Sequence, residues 1–208
     1  MHKLTLSLLL VSGGAFAQYK SEPAGAPPAE LAPAISQALQ QQGTKIVAVN
    51  GTVSCEVWFR TALPAGPKPT DQTVTLSVPQ GALVGVIRFP AQGADRRGQS
   101  IKPGIYTLRY SLIPVNGDHQ GAAPQRDFLL LTPAADDKDP SATPDFDALV
   151  AMSRKASGTP HPASLSLWAA GASDTLGFAK QGENDWVLTL KIGDVPVSII
   201  LVGKAEAA

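Results

Sequence analysis

From Lys45 onward the chain holds a series of short runs in which apolar side chains recur at every second position. Val53, Cys55, Val57 and Phe59 alternate with Ser54, Glu56, Trp58 and Arg60. Tyr106, Leu108, Tyr110 and Leu112 alternate with Thr107, Arg109 and Ser111, and Val74, Leu76 and Val78 with Thr73, Thr75 and Ser77. A period of two puts one set of side chains on one face of a strand, so each run predicts a strand with a buried face. Ala82–Phe89 is apolar on both faces, with Leu83, Gly85, Ile87 and Phe89 on one and Val84, Val86 and Arg88 on the other, which predicts an inner strand. The 19 Gly and 18 Pro cluster in the gaps between runs, where turns need left-handed or fixed φ. Asn50-Gly51 and Gly193-Asp194 each separate two such runs and predict tight hairpins. Asp127–Leu131 and Leu165–Trp168 read as further strands, and Pro196 predicts that the last strand is an edge or bulged one.

Helical spacing is confined to two places. Leu31, Ile35, Ala38 and Leu39 predict a short helix over 32–42, with Pro33 in its first turn and Gly43 as its cap. Thr143-Pro144-Asp145 opens a second, with Phe146, Leu149 and Val150 as its buried stripe and Gly158 as its end. Strands do not alternate with long helices, which disfavours a parallel sheet. The expected fold is all-β: an antiparallel β-sandwich, jelly-roll-like, with nine or ten strands and one or two short helices, in a single domain over 31–208.

The first 17 residues read as an export signal. Lys3 precedes the apolar run Leu4–Val11, and Ala15-Phe16-Ala17 supplies the small-x-small pattern before Gln18. Cleavage after Ala17 is expected, with a periplasmic or secreted product and a flexible lead-in over 18–30. The apolar run is far shorter than the ~20 residues of a membrane span. The whole chain carries 17 Lys+Arg and 17 Asp+Glu; losing Lys3 leaves a net charge of −1. No field of one sign exists to steer a nucleic acid or an anionic membrane surface. With Cys55 as the single Cys, no internal disulfide can form in the oxidising compartment, so the core must supply the stability.

Pro103-Gly104-x-Tyr106-Thr107-Leu108-Arg109-Tyr110, Gly117-Asp118-His119 and Arg126-Asp127-Phe128-Leu129-Leu130 together resemble a group of uncharacterised exported proteins of environmental bacteria. The strands around Cys55-Glu56-Val57-Trp58 and Val84-Gly85-Val86-Ile87-Arg88 share the likeness, which covers about half of the chain. The resemblance implies export and carries no activity, so no catalytic residue transfers with it.

Candidate chemistry concentrates at one set of loops. Asn116–Gly121, followed by Arg126 and Asp127, brings polar groups and two Gly together, and His161 stands between Pro160 and Pro162. Asp118, His119, Arg126, Asp127 and His161 are the candidate ligand-binding residues. His119 and His161 with Asp118 or Asp127 form a conceivable set for a divalent metal, since two imidazoles and a carboxylate suit zinc or non-haem iron. The competing assignment makes Asp118 a turn cap, pairs Arg126 with Asp127 and leaves His119 on a backbone carbonyl. Asp136-Asp137-Lys138-Asp139 lacks the spacing of a calcium loop and reads as a solvated acidic loop before the second helix. Cys55 falls on an apolar face, where a thiol is a small hydrophobe. Gly-x-Ser-x-Gly, phosphate-loop, His-Glu-x-x-His and Ser-x-x-Lys patterns are all missing. The leading expectation is a non-catalytic binding or structural module for a small molecule, glycan or protein, with its ligand surface at 114–126 and 156–163. A metal-dependent protein is the first alternative. A carbohydrate-binding module using Trp58, Tyr106 or Tyr110 is the second.

Overall fold

The computed structural model describes residues 18–115 and 125–205. In chain order the elements are β1 (Tyr19–Gly25), α1 (Pro33–Ala38), β2 (Gly43–Ala48), β3 (Val53–Phe59), β4 (Leu83–Phe89), β5 (Gly93–Ala94), β6 (Ser100–Ile101), β7 (Gly104–Leu112), β8 (Asp127–Pro133), α2 (Phe146–Ser157), β9 (Ser164–Ala169), β10 (Gly177–Gln181), β11 (Asp185–Ile192) and β12 (Val195–Val202). The fold is all-β with two helices, and every strand pairing is antiparallel. Ten strands form one sheet in the order β1-β2-β3-β4-β7-β8-β9-β12-β11-β10, and β5 and β6 form a separate small ladder. The large sheet curls until its two ends approach. Tyr19 of β1 meets Trp186 of β11 edge-on at 5.5 Å, and Phe178 of β10 stacks on the same indole. The two layers expected of a sandwich are therefore opposite walls of one nearly closed sheet.

The interior of that curl is the main core. Ile46, Cys55, Val57, Phe59, Ile87, Tyr106, Leu108, Leu129, Leu131, Leu165, Leu167 and Ile199 meet there, each drawn from the inward half of a period-two run. Two smaller apolar clusters lie on the outer face. Leu31, Ile35 and Leu39, on and beside α1, cover Trp58, Leu83 and Val86. Leu149 of α2 covers Phe128 and Leu130. This two-sided burial explains why β4 reads apolar on both faces and why β8 is buried along both.

Several expectations need correction. Residues 19–25 are not a loose lead-in: they pair with β2 as the first strand of the sheet. α1 is shorter than 32–42, and Gly43 begins β2 instead of capping a helix. A Cβ at Gly43 would collide with the Trp58 indole, so the bare backbone is what lets the ring lie against it. Strict alternation fails in β4. The ladder with β7 slips between Leu83 and Gly85, so Leu83 and Val86 face outward while Val84 and Ile87 face inward. Residues 73–77 form no ladder, although Leu76 and Val78 are buried. The backbone N–H groups of Thr75 and Leu76 donate to the Asp127 carboxylate, at 2.7 and 3.2 Å, in place of a neighbouring strand. β10 was not foreseen. Its residues are mostly exposed and carry little apolar alternation. β12 is not an edge strand but an inner one, between β9 and β11; it is bulged, with Leu201 the extra residue where Trp186 pairs with Val202 and Val187 with Ile200. Pro196 is tolerated because it lies beside the hairpin turn, just outside the Val197–Ile199 segment paired with β9, where its carbonyl still accepts from Ala170 N at 3.0 Å.

The acidic loop is also not simply solvated. Arg109, on the outer face of central strand β7, is fully buried and paired with Asp137. Its Nε donates to Asp137 Oδ2 at 2.7 Å and Nη2 to Oδ1 at 2.6 Å. Nη1 donates to the carbonyls of Gly81 (3.0 Å) and Ala142 (2.6 Å), and Nη2 also to that of Asp139 (2.6 Å). All five donors of the guanidinium are thus used. The Thr107 hydroxyl donates to the same carboxylate. One side chain thereby fastens residues 137–142 across the outer face of the sheet. Immediately beyond, Asp145 accepts from Ala148 N at 2.8 Å and caps α2, and Gly158 closes the helix in the left-handed region at φ 69°.

Removing one member of a buried pair strands the other charge, a loss of about 3–5 kcal/mol. Asp137→Asn is expected to lose stability on that scale in urea unfolding. The double variant Arg109→Met/Asp137→Leu, with no stranded charge, is expected to recover a large part of it.

Candidate functional site

At the end of the sheet where β7 stops and β8 begins, the outer face carries a cleft of about 230 Å³. It exists because side-chain size changes abruptly there. Phe128 of β8 projects outward opposite Ser166 of β9, and Ser164 lies two residues away on the same face. Leu165 and Leu167 between and beyond them point into the core. The two serines are too short to fill the space that Phe128 and α2 bound, and a trough remains. Phe146 and Val150 of α2 form one wall and Ile113 and Pro114 another. Pro160, His161 and Pro162, in the turn after α2, complete the mouth.

The rim is cationic. Arg96, Arg97 and Arg154 line it with His161, and no carboxylate residue lines it among the described residues. Two of the three guanidiniums are anchored from behind. Arg96 forms a forked pair with Asp185, Nε to Oδ1 at 3.0 Å and Nη2 to Oδ2 at 3.0 Å. Arg97 binds the buried Asp95 at 2.8 Å and the Pro162 carbonyl at 2.7 Å. Arg154, in the last turn of α2, is exposed; its Nε donates to the Pro160 carbonyl at 2.6 Å, and it has no ion pair among the described residues. The turn itself is firmly tied. Ser157 Oγ donates to the His161 carbonyl at 2.7 Å, Ser153 Oγ to that of Ala163 at 2.9 Å, and Thr159 Oγ1 to Gln99 Oε1 at 2.8 Å. The mouth is thus pre-formed by hydrogen bonds that do not involve its open face.

The expected site residues part company here. Asp118 and His119 lie outside the described residues. His161 is at the cleft mouth, exposed. Asp127 is fully buried on the opposite face of β8 from Phe128, in step with Leu129 and Leu131. Its Oδ2 accepts from Thr75 N and from Thr75 Oγ1 at 2.8 Å; its Oδ1 accepts from Leu76 N and the Tyr110 hydroxyl. Burial, with the bond to Asp127, pushes the Tyr110 phenol well above its ordinary range. Arg126 does not pair with its neighbour. It reaches Asp71 at 2.7 Å and the Ile113 carbonyl at 2.8 Å. Bonds from the Thr73 hydroxyl and amide, then from Arg126, hold the Asp71 carboxyl down at about 2. Among the described residues no three His, Cys, Asp or Glu side chains gather as a metal site would require.

The aromatic candidates are enclosed. Trp58 is 1% exposed and its Nε1 donates to the Gly25 carbonyl at 2.9 Å; Tyr106 and Tyr110 sit in the main core. None offers a face on which a sugar ring could stack. Of the loops expected to carry the ligand surface, 114–126 and 156–163, the described cleft lining includes Pro114, Pro160, His161 and Pro162. Sequence reasoning missed Arg154, Ser164 and Ser166. The available signal was the outward Ser-x-Ser of β9 beside an inward Leu-x-Leu.

No protein-family model, curated protein or solved structure matches this chain. No helix among the described residues is long and apolar enough to cross a membrane.

Cys55 takes no part in the cleft. Burial, and secondarily the charge of Glu56, pushes its thiol up to about 12. The native protein is expected to leave a disulfide thiol reagent unreacted at pH 8, and to consume one equivalent per chain once unfolded in guanidinium. Rapid labelling of the folded protein would contradict this burial.

Proposed function

We propose that the protein is an exported binding module whose ligand site is the cleft between α2 and the outer face of β8 and β9. The observation that carries this reading is the cleft's construction: an apolar lining of Phe128, Phe146 and Val150 with a few polar groups beside it, the usual make-up of a small-molecule site. Apolar burial supplies binding energy, and the rim groups set orientation. The described lining residues present guanidiniums, hydroxyls and one imidazole, with no carboxylate to orient that imidazole as a base. That composition suits holding a ligand better than transforming it. Export is supported by the leader pattern over 1–17.

The cleft is tested with a neutral aromatic probe. Benzyl alcohol is expected to shift the backbone amide resonances of Ser164, Ser166 and Arg154, and Val150→Trp, which fills the trough from a half-buried helix position, is expected to abolish those shifts while the fold is kept. Shifts scattered over the surface, or unchanged in the variant, would remove the cleft as the site. For export, N-terminal sequencing of protein recovered from its host is expected to begin at Gln18; an intact leader would refute it.

A further inference from the structure

The charge around the cleft narrows the class of ligand. Of the cations on the rim, Arg96 and Arg97 already have Asp185 and Asp95 as counter-charges. Arg154 has none among the described residues. Its Nε bond to the Pro160 carbonyl fixes the plane of the guanidinium at the mouth, and its two terminal nitrogens carry no bond to any described residue. A guanidinium held by one edge, with the other free, presents the parallel pair of donors that a carboxylate accepts in forked fashion. The Ser164 and Ser166 hydroxyls on the trough floor also bond nothing among the described residues. The apolar space behind them is modest. A cavity of about 150 Å³ is enough to hold benzene, so a cleft of about 230 Å³ has room for one ring and a short arm.

Resting on the reading of this cleft as the ligand site, we propose that its ligand is a small organic carboxylate with a ring-sized apolar body. The body lies on Phe128, Phe146 and Val150, and the carboxylate is forked on Arg154 at the mouth. The position of the charge on α2 favours this orientation, since Arg154 stands at the solvent end of the trough and the apolar wall begins one helical turn earlier, at Val150.

Phenylacetate and phenylacetamide separate the charge from the body, because they share shape and differ in the carboxylate. In titration calorimetry of the wild-type protein, phenylacetate is expected to bind at least tenfold more tightly than phenylacetamide. Arg154→Gln is expected to bring phenylacetate down to the level of the amide and to leave the amide unchanged, and Arg154→Lys to fall between. Equal binding of the two probes to the wild type would overturn the carboxylate assignment while leaving the cleft as a site. Selectivity that survives Arg154→Gln would overturn the role of Arg154. Failure of both probes to bind, where benzyl alcohol does, would overturn the ring-sized carboxylate; failure of all three would overturn the cleft itself.

Discussion

A single guanidinium organises the outer side of this molecule. Arg109 sits on the central strand β7 with no exposure to water, a position that strands a charge unless every donor is met. Asp137 meets two of them, and the carbonyls of Gly81, Ala142 and Asp139 meet the rest. All of these partners but Gly81 come from the 137–142 loop, whose own hydrogen bonds are a few local turn contacts. The loop is ordered because the arginine is buried, and the arginine can be buried because the loop is ordered. Apolar residues at both positions would cover the same area without choosing which carbonyls come together. The arrangement places Asp145, and with it the start of α2, at one spot on the sheet.

The position of α2 then decides the cleft. The helix covers Phe128 and Leu130 but stops short of the serine pair on β9, and the turn at 157–163 is pinned by Ser153, Ser157 and Thr159. A shift of the helix by one turn would close the trough or open it to solvent. The interior plays a different part. It holds the curl of the sheet through inward apolar residues, and Asp127 acts within it as a hydrogen-bonding hub for a segment that would otherwise have unsatisfied amides. The main core and the cleft thus lie on opposite faces of the same strands.

The distinction explains why a carboxylate beside an arginine in sequence misleads. Arg126 and Asp127 are adjacent, so in an extended chain their side chains diverge. One reaches Asp71 and the other Thr75, Leu76 and Tyr110. Likewise Trp58 lies on the polar half of its strand yet is 1% exposed. Gly43 on the neighbouring strand β2 leaves room for the ring, and the 31–39 segment, outside the ladder, encloses it. Alternation reports which side of a strand a residue takes, and says nothing of what else covers that side.

Much of the architecture was legible in the order of residues alone. Period-two runs, Asn-Gly and Gly-Asp turns and the Asp-capped, Gly-ended helix are local signals, set by backbone sterics and by hydrogen bonds between near neighbours. They yielded the all-β class, most of the strands and the second helix. The tertiary structure alone decided that one sheet curls on itself, that β4 slips by a residue, that β12 is internal, and that Arg109 and Asp137 are buried together. It alone also put Arg154, Ser164, Ser166 and Phe128 around one trough. Those outcomes depend on pairing between segments far apart in sequence, where contact is settled by packing and charge compensation in three dimensions, and no local periodicity records it.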